Sequence, residues 1–173
     1  MSPDRKDTEI LCGIHPVSEA ICAGRRVVVQ VLAAAGRRSA RLSPVLAAAR
    51  RRGIPVRELP AREIGAMAGD AAHQGVAARV GPYPYAPEPG SFAAPTGASL
   101  PPLWLLLDGV VDPQNLGAML RTGLCAGADG VVVPKDRAAP ATPAVARASA
   151  GALEHVRLVR VTNLVRTDRK SVV

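Results

Sequence analysis

Residues 103–121, LWLLLDGVVDPQNLGAMLR, decide the fold of this chain. An apolar strand over residues 103–107 runs into a polar turn, and a helix of mostly small residues is predicted over 116–126. A strand, a loop and a helix in this order begin a parallel, doubly wound sheet, in which ligands sit outside the carboxyl ends of the strands. The loop at 108–115 is therefore predicted to lie at a ligand site.

Three residues of this stretch could carry chemistry. Asn115 stands where the N-cap of the helix is expected, and Gly117 would let another backbone or a substrate approach closely. Arg121 follows one turn after Gly117 on the same side, so it is a candidate contact for a phosphate or a nucleotide. A structural alternative stays open, in which Asn115 only caps the helix and Arg121 pairs with Asp108 or Asp112.

The pattern of strands and helices continues after this stretch. Residues 130–133 form the next predicted strand, and Thr142-Pro143 reads as an N-cap followed by a first-turn proline, opening a helix to about Ala150. Residues 156–161 form a third strand, and Thr162 caps the element that follows. This half is predicted to be the beginning of a parallel sheet.

The residues before position 82 predict a second, smaller α/β unit. Strands are expected at residues 27–32, 54–59 and 75–80. Helices are expected at residues 18–23, from Ser43-Pro44 to Arg52, and at 61–67. Alternation at this spacing is typical of a small α/β/α sandwich.

Between these units, residues 82–102 contain seven prolines in 21 positions. Proline lacks an amide donor and fixes φ, so this segment cannot form a central strand or helix. It is predicted to be a semi-rigid linker between two domains.

The net charge of +8 is carried mainly by arginine, whose planar fork of donors suits phosphate. Residues 1–81 hold 13 Lys and Arg against 7 Asp and Glu, whereas residues 82–173 hold 9 against 7. An RNA-facing surface is predicted from Arg25, Arg26, Arg37, Arg38, Arg41, Arg50, Arg51 and Arg52. The alternative is that a GC-rich genome enriches arginine and that these residues are solvated.

Other residue classes do not indicate a site. Cys12, Cys22 and Cys125 have no CxxC spacing, so neither a disulfide framework nor a metal site is expected. Glu154 is expected to be structural or solvated, and His15 and His73 to be turn residues. No apolar run reaches the ~20 residues that span a bilayer, and the N-terminus does not resemble a secretory signal. The cytoplasm is the expected location.

Several segments together resemble the SpoU (TrmH-like) RNA 2′-O-methyltransferases, nearest the RlmB-type enzymes of 23S rRNA guanosine. The first SpoU motif matches DPQNLGAMLRT at 112–122, and residues 127–164, which include GVVVP and ASAGALE, are similar throughout. Before the linker, GIHPVSEAI, RRRGIPVREL and HQGVAARV resemble the RNA-binding domain of the family, which is similar to ribosomal protein L30e.

This resemblance implies methyl transfer from S-adenosylmethionine to a ribose 2′-hydroxyl of RNA, most simply 23S rRNA. It assigns activation of that hydroxyl to Arg121 and support of the site to Asn115. Because a guanidinium with a pKa above ~12 is a poor base, a clamp on phosphate and developing alkoxide suits Arg121 better. The family usually forms homodimers through its catalytic domain.

The resemblance also implies a division of the chain. Residues 8–81 are expected to be an L30e-like α/β/α domain, 82–102 a linker, and 103–167 the N-terminal part of a parallel-sheet SpoU domain, whose fold is an α/β knot. The two later motifs that hold the cofactor and complete the knot are not found, so we expect no cofactor-binding residues and little activity. Residues 168–173, DRKSVV, are expected to be a non-native tail encoded by adapter sequence.

Two rival functions remain at this point. The chain could be a non-catalytic RNA-binding protein that uses only the L30e-like domain, which would have no need of Asn115 and Arg121. It could instead be an α/β enzyme of small molecules with an incidental basic charge. Salt-dependent RNA binding by residues 1–81 separates the second rival from the other two functions.

Overall fold

Seven β-strands and six α-helices form the part of the chain that the structure describes, residues 8–36, 40–69, 72–87 and 102–171. The structure is a computed structural model. The strands make two sheets, one of four strands in the first half (residues 8–81) and one of three in the second half (102–171). Both halves are α/β, as the sequence predicts.

The first half builds a mixed sheet with the strand order β1-β4-β2-β3. Its elements are β1 (Glu9–Cys12), α1 (Ile14–Ala23), β2 (Val28–Ala34), α2 (Ser43–Arg51), β3 (Val56–Leu59), α3 (Ala61–Ala68) and β4 (Val76–Val80). Strands β2 and β3 are parallel, and α2 supplies the crossover that such a pair needs. Strand β4 is antiparallel to both β1 and β2.

Consecutive side chains of β4 show how helices cover both faces of this sheet. Val76 and Ala78 belong to the core under α1 and α2, whereas Ala77 between them packs in a separate cluster with Ile64 of α3. All four residues are fully buried. Because side chains alternate across a strand, the apolar run of β4 serves both layers. The predicted α/β/α sandwich is confirmed.

The second half builds a parallel sheet with the order β5-β6-β7. Its elements are β5 (Trp104–Leu106), α4 (Pro113–Cys125), β6 (Gly130–Pro134), α5 (Pro143–Ala148), a 3-10 turn (Ala152–Glu154), β7 (Leu158–Val161) and α6 (Leu164–Ser171). Helices α4 and α5 cross over between successive strands and share a core with the inner face of β6, including Val131 and Val133.

The two halves share one hydrophobic core. Val17 and Ile21 of α1 belong to the same cluster of buried side chains as Val145 of α5 and Leu153 of the 3-10 turn. Close approach is possible because Gly151 has a φ of +89° and no side chain; a Cβ there would lie 2.6 Å from Cγ of Glu19. Glycine at this position therefore lets α1 rest on the turn after α5.

The beginning of the Pro-rich segment is part of the second sheet. The amide of Ala86 donates to the carbonyl of Leu158 at 2.9 Å, and Ala86 forms a parallel bridge with Val159. The buried Tyr83 donates its hydroxyl hydrogen to the carbonyl of Val156 at 2.5 Å. Residues 82–87 thus cover the outer edge of β7, which the linker prediction did not anticipate; residues 88–101 lie outside the described ranges.

Most predicted elements are present, with shifted ends and one omission. Strand β1 was not predicted, because its four residues follow a polar N-terminal stretch and look too short for a strand. Helix α1 begins at Ile14, although a turn was expected over residues 13–16. The N-cap position of α2 is Leu42 and not Ser43, whereas Thr142 holds the predicted N-cap position of α5.

Helices α4 and α5 touch at Gly117. A Cβ on Gly117 would lie 2.4 Å from Cβ of Ala148 and 2.8 Å from the backbone nitrogen of Ser149. Backbone atoms cannot move aside as a flexible side chain can, so any side chain here would force the helices apart. The predicted close approach at Gly117 is thus made by another part of the protein.

We expect Gly117→Ala to destabilise the chain by about 1–3 kcal/mol, because the added methyl group overpacks the α4–α5 contact. Urea denaturation followed by circular dichroism measures this change. The matched control is Gly65→Ala in α3, where the nearest atom to a new Cβ, Nε2 of His73, is 4.0 Å away. This control should be neutral or stabilising, since alanine favours a helix over glycine by about 1 kcal/mol. Equal effects of both changes would contradict the packing explanation.

Candidate functional site

Helix α4 starts after the loop that leaves β5. Asp112 is its N-cap, and Oδ1 of Asp112 accepts a hydrogen bond from the amide of Gln114 at 3.2 Å. Pro113 holds the first helical position, which suits its fixed φ. Asn115 lies within the first turn and is exposed. The prediction that Asn115 is the N-cap is therefore wrong, because Asp112 caps the helix three residues earlier.

Arg121 lies eight residues beyond the helix start, about 12 Å along the axis at 1.5 Å per residue. Its exposed side chain lines a cavity of about 440 Å³, which we call the junction cavity. The other lining residues are Glu19, Leu124, Ser149, Ala150, Ala152 and His155. Because Glu19 belongs to α1 and the rest to α4 and the turn after α5, the cavity lies where the two halves meet.

The guanidinium of Arg121 forms no hydrogen bond or ion pair with another residue of the described ranges. The alternative in which Arg121 pairs with Asp108 or Asp112 is therefore not observed. The sequence suggested that Gly117 leaves open space over Arg121. In the structure this space is absent, since Ala148 fills that position. Arg121 remains available to an anionic ligand that enters the junction cavity.

The carboxyl ends of the parallel strands form a different cavity of about 300 Å³, which we call the strand-end cavity. It is lined by Asp108, Pro134, Asp136, Arg137, Thr162, Asn163, Leu164 and Val165. Arg121 does not line it, because α4 runs back from the carboxyl ends of the strands towards their amino ends. The expectation that Arg121 faces the strand ends is therefore wrong.

A hydrogen-bonded pair crosses the junction cavity from one half to the other. Nε2 of His155 lies 2.7 Å from Oε2 of Glu19, and both side chains are about one-third exposed, 37% and 34%. No local pattern in the sequence indicates this pair, since the two residues are 136 positions apart. With Arg121, the cavity thus presents a cation, a carboxylate and an imidazole.

Four of the eight arginines predicted to face RNA are exposed around helix α2. Arg41 lies before the helix, and Arg50, Arg51 and Arg52 lie at its C-terminal end. The nine-residue helix separates these groups by about 14 Å. Arg52 also donates to the carbonyl of Cys22 at 2.8 Å and so caps the end of α1. Arg37 and Arg38 lie outside the described residues.

Arg26 is not on the surface, so the prediction that it faces RNA is wrong. Its side chain has no solvent exposure, and it pairs with Glu9 at 2.9 Å and with Glu154 at 3.3 Å. Its guanidinium carbon also lies 5.4 Å from the ring centroid of Tyr83. Arg25 is half-buried and donates to the carbonyl of Val156. Both arginines hold the second half against the first.

Glu154 is structural, as predicted, and it is buried with a side-chain exposure of 1%. Burial raises the pKa of this carboxyl above its ordinary value, while the nearby Arg26 and Arg25 act in the opposite direction. The pair Arg26–Glu154 therefore forms a buried ionic contact between α/β halves that are otherwise joined mainly by apolar packing.

The remaining candidates for chemistry are accounted for within the described residues. His73 accepts a hydrogen bond from the amide of Gly75 at 3.2 Å in the turn before β4, whereas His15 lies exposed in the first turn of α1. Burial raises the pKa of the Cys12 thiol. The described residues contain no group of three metal-ligating side chains, and none of their helices is long and apolar enough to cross a membrane.

Family models match both halves of the chain. Residues 10–86 match the model of RNA 2′-O ribose methyltransferase substrate binding, and residues 102–170 match the SpoU rRNA methylase family. The chain belongs to the SpoU family. The predicted resemblance is thus confirmed over both sheets of the structure.

Curated relatives agree with this assignment. The chain is 41% identical over 161 residues to the 23S rRNA (guanosine-2′-O-)-methyltransferase RlmB of Vibrio cholerae, covering 93% of the chain and 65% of the relative. It is 41% identical over 162 residues to RlmB of Pseudomonas putida, covering 94% and 65%. The chain therefore spans just under two-thirds of the length of these relatives.

A solved structure shares the fold. The AdoMet-bound rRNA methyltransferase from Sinorhizobium meliloti superposes with a TM-score of 0.72 at 22% identity, over 97% of this SpoU chain and 60% of the other. The agreement covers both sheets, which supports the α/β architecture of each half.

We expect Glu154→Ala to destabilise the chain by about 3 kcal/mol, because it leaves the buried guanidinium of Arg26 with only one of its two partners. Replacing both residues, as Arg26→Met with Glu154→Leu, should restore most of this loss, since apolar side chains of similar size need no charged partner. Thermal and urea denaturation of the parent and the two variants measure these changes.

The matched control for Glu154→Ala is Glu58→Ala on β3, which removes an exposed carboxylate and should change stability by less than about 0.5 kcal/mol. If Glu154→Ala behaved like Glu58→Ala, the ionic contact would not hold the halves together.

Proposed function

We propose that this chain serves S-adenosylmethionine-dependent 2′-O-methylation of RNA, with a guanosine of 23S rRNA as substrate. One observation carries the proposal: Arg121 is exposed and unpaired among the described residues, in a cavity formed by both halves. In this arrangement, the first half holds the RNA and Arg121 meets the target nucleotide where the halves join. The RlmB relatives supply the choice of rRNA and guanosine.

The chemistry of Arg121 restricts its role. A guanidinium keeps its proton at neutral pH, so it cannot accept the proton of a ribose hydroxyl. It can bind the neighbouring phosphate through two parallel hydrogen bonds and stabilise the negative charge that develops on the 2′-oxygen. Asn115, exposed in the first turn of α4, is a second candidate for a contact with the nucleotide.

The exposed arginines around α2 are the proposed RNA surface of the first half. Arg41, Arg50 and Arg51 are exposed and add positive charge to this surface. Contacts of this kind provide affinity and register along a phosphate backbone, and not sequence choice. Arg52 has a weaker claim, since it also caps α1.

S-adenosylmethionine supplies the methyl group when it is bound. The described residues alone do not fit this cofactor well: ligand sites are mostly apolar and enclosing, whereas the strand-end cavity is lined largely by exposed polar side chains. Asp108 and Asp136 could meet its positive charge or its ribose, but only Pro134, Leu164 and Val165 offer apolar cover. We therefore assign no cofactor-binding residue in this chain.

The proposal extends to assembly and location. Homodimerisation through the second half is expected, and exposed apolar side chains at Leu106, Val111 and Met119 are candidates for the contact. Action on rRNA would place the protein in the cytoplasm. A non-catalytic RNA-binding role is the competing function, and it would require the first half only.

We expect Arg121→Lys to lower the rate of methyl transfer by about 100-fold in a version extended to the length of the relatives, because the charge remains but the two-pronged geometry is lost. Transfer of tritiated methyl groups to 23S rRNA measures the rate, and fluorescence anisotropy measures RNA affinity in the same preparation. Affinity should change far less than the rate.

Arg51→Ala is the comparison variant for this experiment. It should weaken RNA binding and reduce the salt dependence of the affinity by about one unit of slope, with the methylation rate at saturating RNA unchanged. A rate that does not respond to Arg121→Lys would favour the non-catalytic role. RNA affinity that is flat between low and physiological salt would remove the RNA proposal altogether.

We expect the chain of residues 1–173 to bind S-adenosylmethionine weakly or not at all, because the described strand-end cavity does not enclose it. Isothermal titration calorimetry tests this expectation, and circular dichroism of the same sample shows that the protein is folded. Saturable binding in the micromolar range would contradict it.

A further inference from the structure

A third cavity, of about 400 Å³, shares no lining residue with the junction cavity or the strand-end cavity. It is lined by Tyr85, Ala86, Pro87, Lys135 and Arg160. The first three belong to the beginning of the Pro-rich segment, Lys135 follows β6, and Arg160 belongs to β7. We call it the β7-edge cavity, since Ala86 pairs with that edge.

Two of the lining side chains are held in place by the fold. Nη2 of Arg160 donates to the carbonyl of Lys135 at 2.9 Å, and its guanidinium carbon lies 5.1 Å from the ring centroid of Tyr85. The hydroxyl of Tyr85 accepts a hydrogen bond from the amide of Ala141 at 2.8 Å, and its ring meets that of Tyr83 edge to face at 5.2 Å. The aromatic ring and the guanidinium are therefore pre-positioned.

Lys135 adds an exposed cation beside this fixed pair. Its side chain is exposed and forms no ion pair with a described carboxylate. Among its described lining residues, the β7-edge cavity has two cations and no carboxylate, whereas Glu19 lines the junction cavity and Asp108 and Asp136 line the strand-end cavity. An anion in the β7-edge cavity therefore meets two cations and no opposing carboxylate among the described lining residues.

We propose that the β7-edge cavity is an RNA subsite of the second half, in which Lys135 and Arg160 bind backbone phosphates beside Tyr85. This inference rests on the proposed function, and adds to it a contact outside the predicted RNA-binding domain. Cations next to an aromatic ring suit single-stranded RNA, whose phosphates pair with the cations and whose splayed bases stack on planar groups. The planar guanidinium of Arg160 offers such a face.

The test measures the affinity of residues 1–173 for a fluorescein-labelled RNA hairpin with a single-stranded loop, as a function of KCl concentration. Lys135→Ala should weaken binding and lower the slope of log K against log salt by about 0.7, the value for one phosphate of a single strand. Lys135→Arg should restore both quantities, because the positive charge returns. The exposed side chain of Lys135 forms no hydrogen bond or ion pair with a described residue, so these variants should fold as the parent does.

Arg62→Ala in α3 is the matched control, since it removes one exposed cation that lines none of the three cavities. Lys135→Ala and Arg62→Ala with the same small effect would overturn the subsite. Arg51→Ala separates the two proposals: if it weakens binding while Lys135→Ala does not, RNA binding stands and the subsite fails.

Two further outcomes bear on the kind of ligand. Competition by excess inorganic phosphate that abolishes only the contribution of Lys135 would show a site for free anions, and would overturn the RNA assignment. Arg160→Lys, which keeps the charge and loses the planar face, should weaken binding to the looped RNA more than binding to a fully paired duplex. Equal losses on both RNAs would contradict stacking at this cavity.

Discussion

A single buried guanidinium, that of Arg26, links the two halves of the molecule. It lies between Glu9 at the start of the first sheet and Glu154 just before the last strand of the second, with Tyr83 of the Pro-rich segment alongside. A charge without solvent contact requires these partners, because leaving it unpaired costs several kcal/mol. Glu19 and Arg121 line the junction cavity from opposite halves. The cavity therefore depends on the contact of Arg26, because this contact holds the halves together.

The sequence predicted what depends on local pattern. The apolar runs of β2, β4 and β6, the prolines at the starts of α2 and α5, and the break after α2 at Gly53 all have local causes. The predicted ends of helices were less accurate where two nearby residues could both serve as the N-cap. Asp112 and Asn115 can both cap a helix, and only the position of Pro113 distinguishes them.

Long-range partners could not be predicted in the same way. Arg26 looks like its exposed neighbours in the sequence, and its burial follows from carboxylates 17 residues before it and 128 after it. The contact between Glu19 and His155 likewise joins residues that are distant in the sequence, so no local pattern predicts it. Family resemblance located ASAGALE without saying what it does. In the structure, Gly151 and Glu154 of this segment contact the first half, and Ser149 hydrogen-bonds within the turn after α5.

The short connection between the sheets has a kinetic consequence. Strand β4 ends at Val80, and Ala86 already lies on β7, so the two sheets are tethered by a stretch that spans about 20 Å at most. Even if the ionic contact opened, the halves would stay within this reach, and reclosing would proceed at the millimolar effective concentration typical of short tethers. Transient separation of the two halves is thus rapidly reversible.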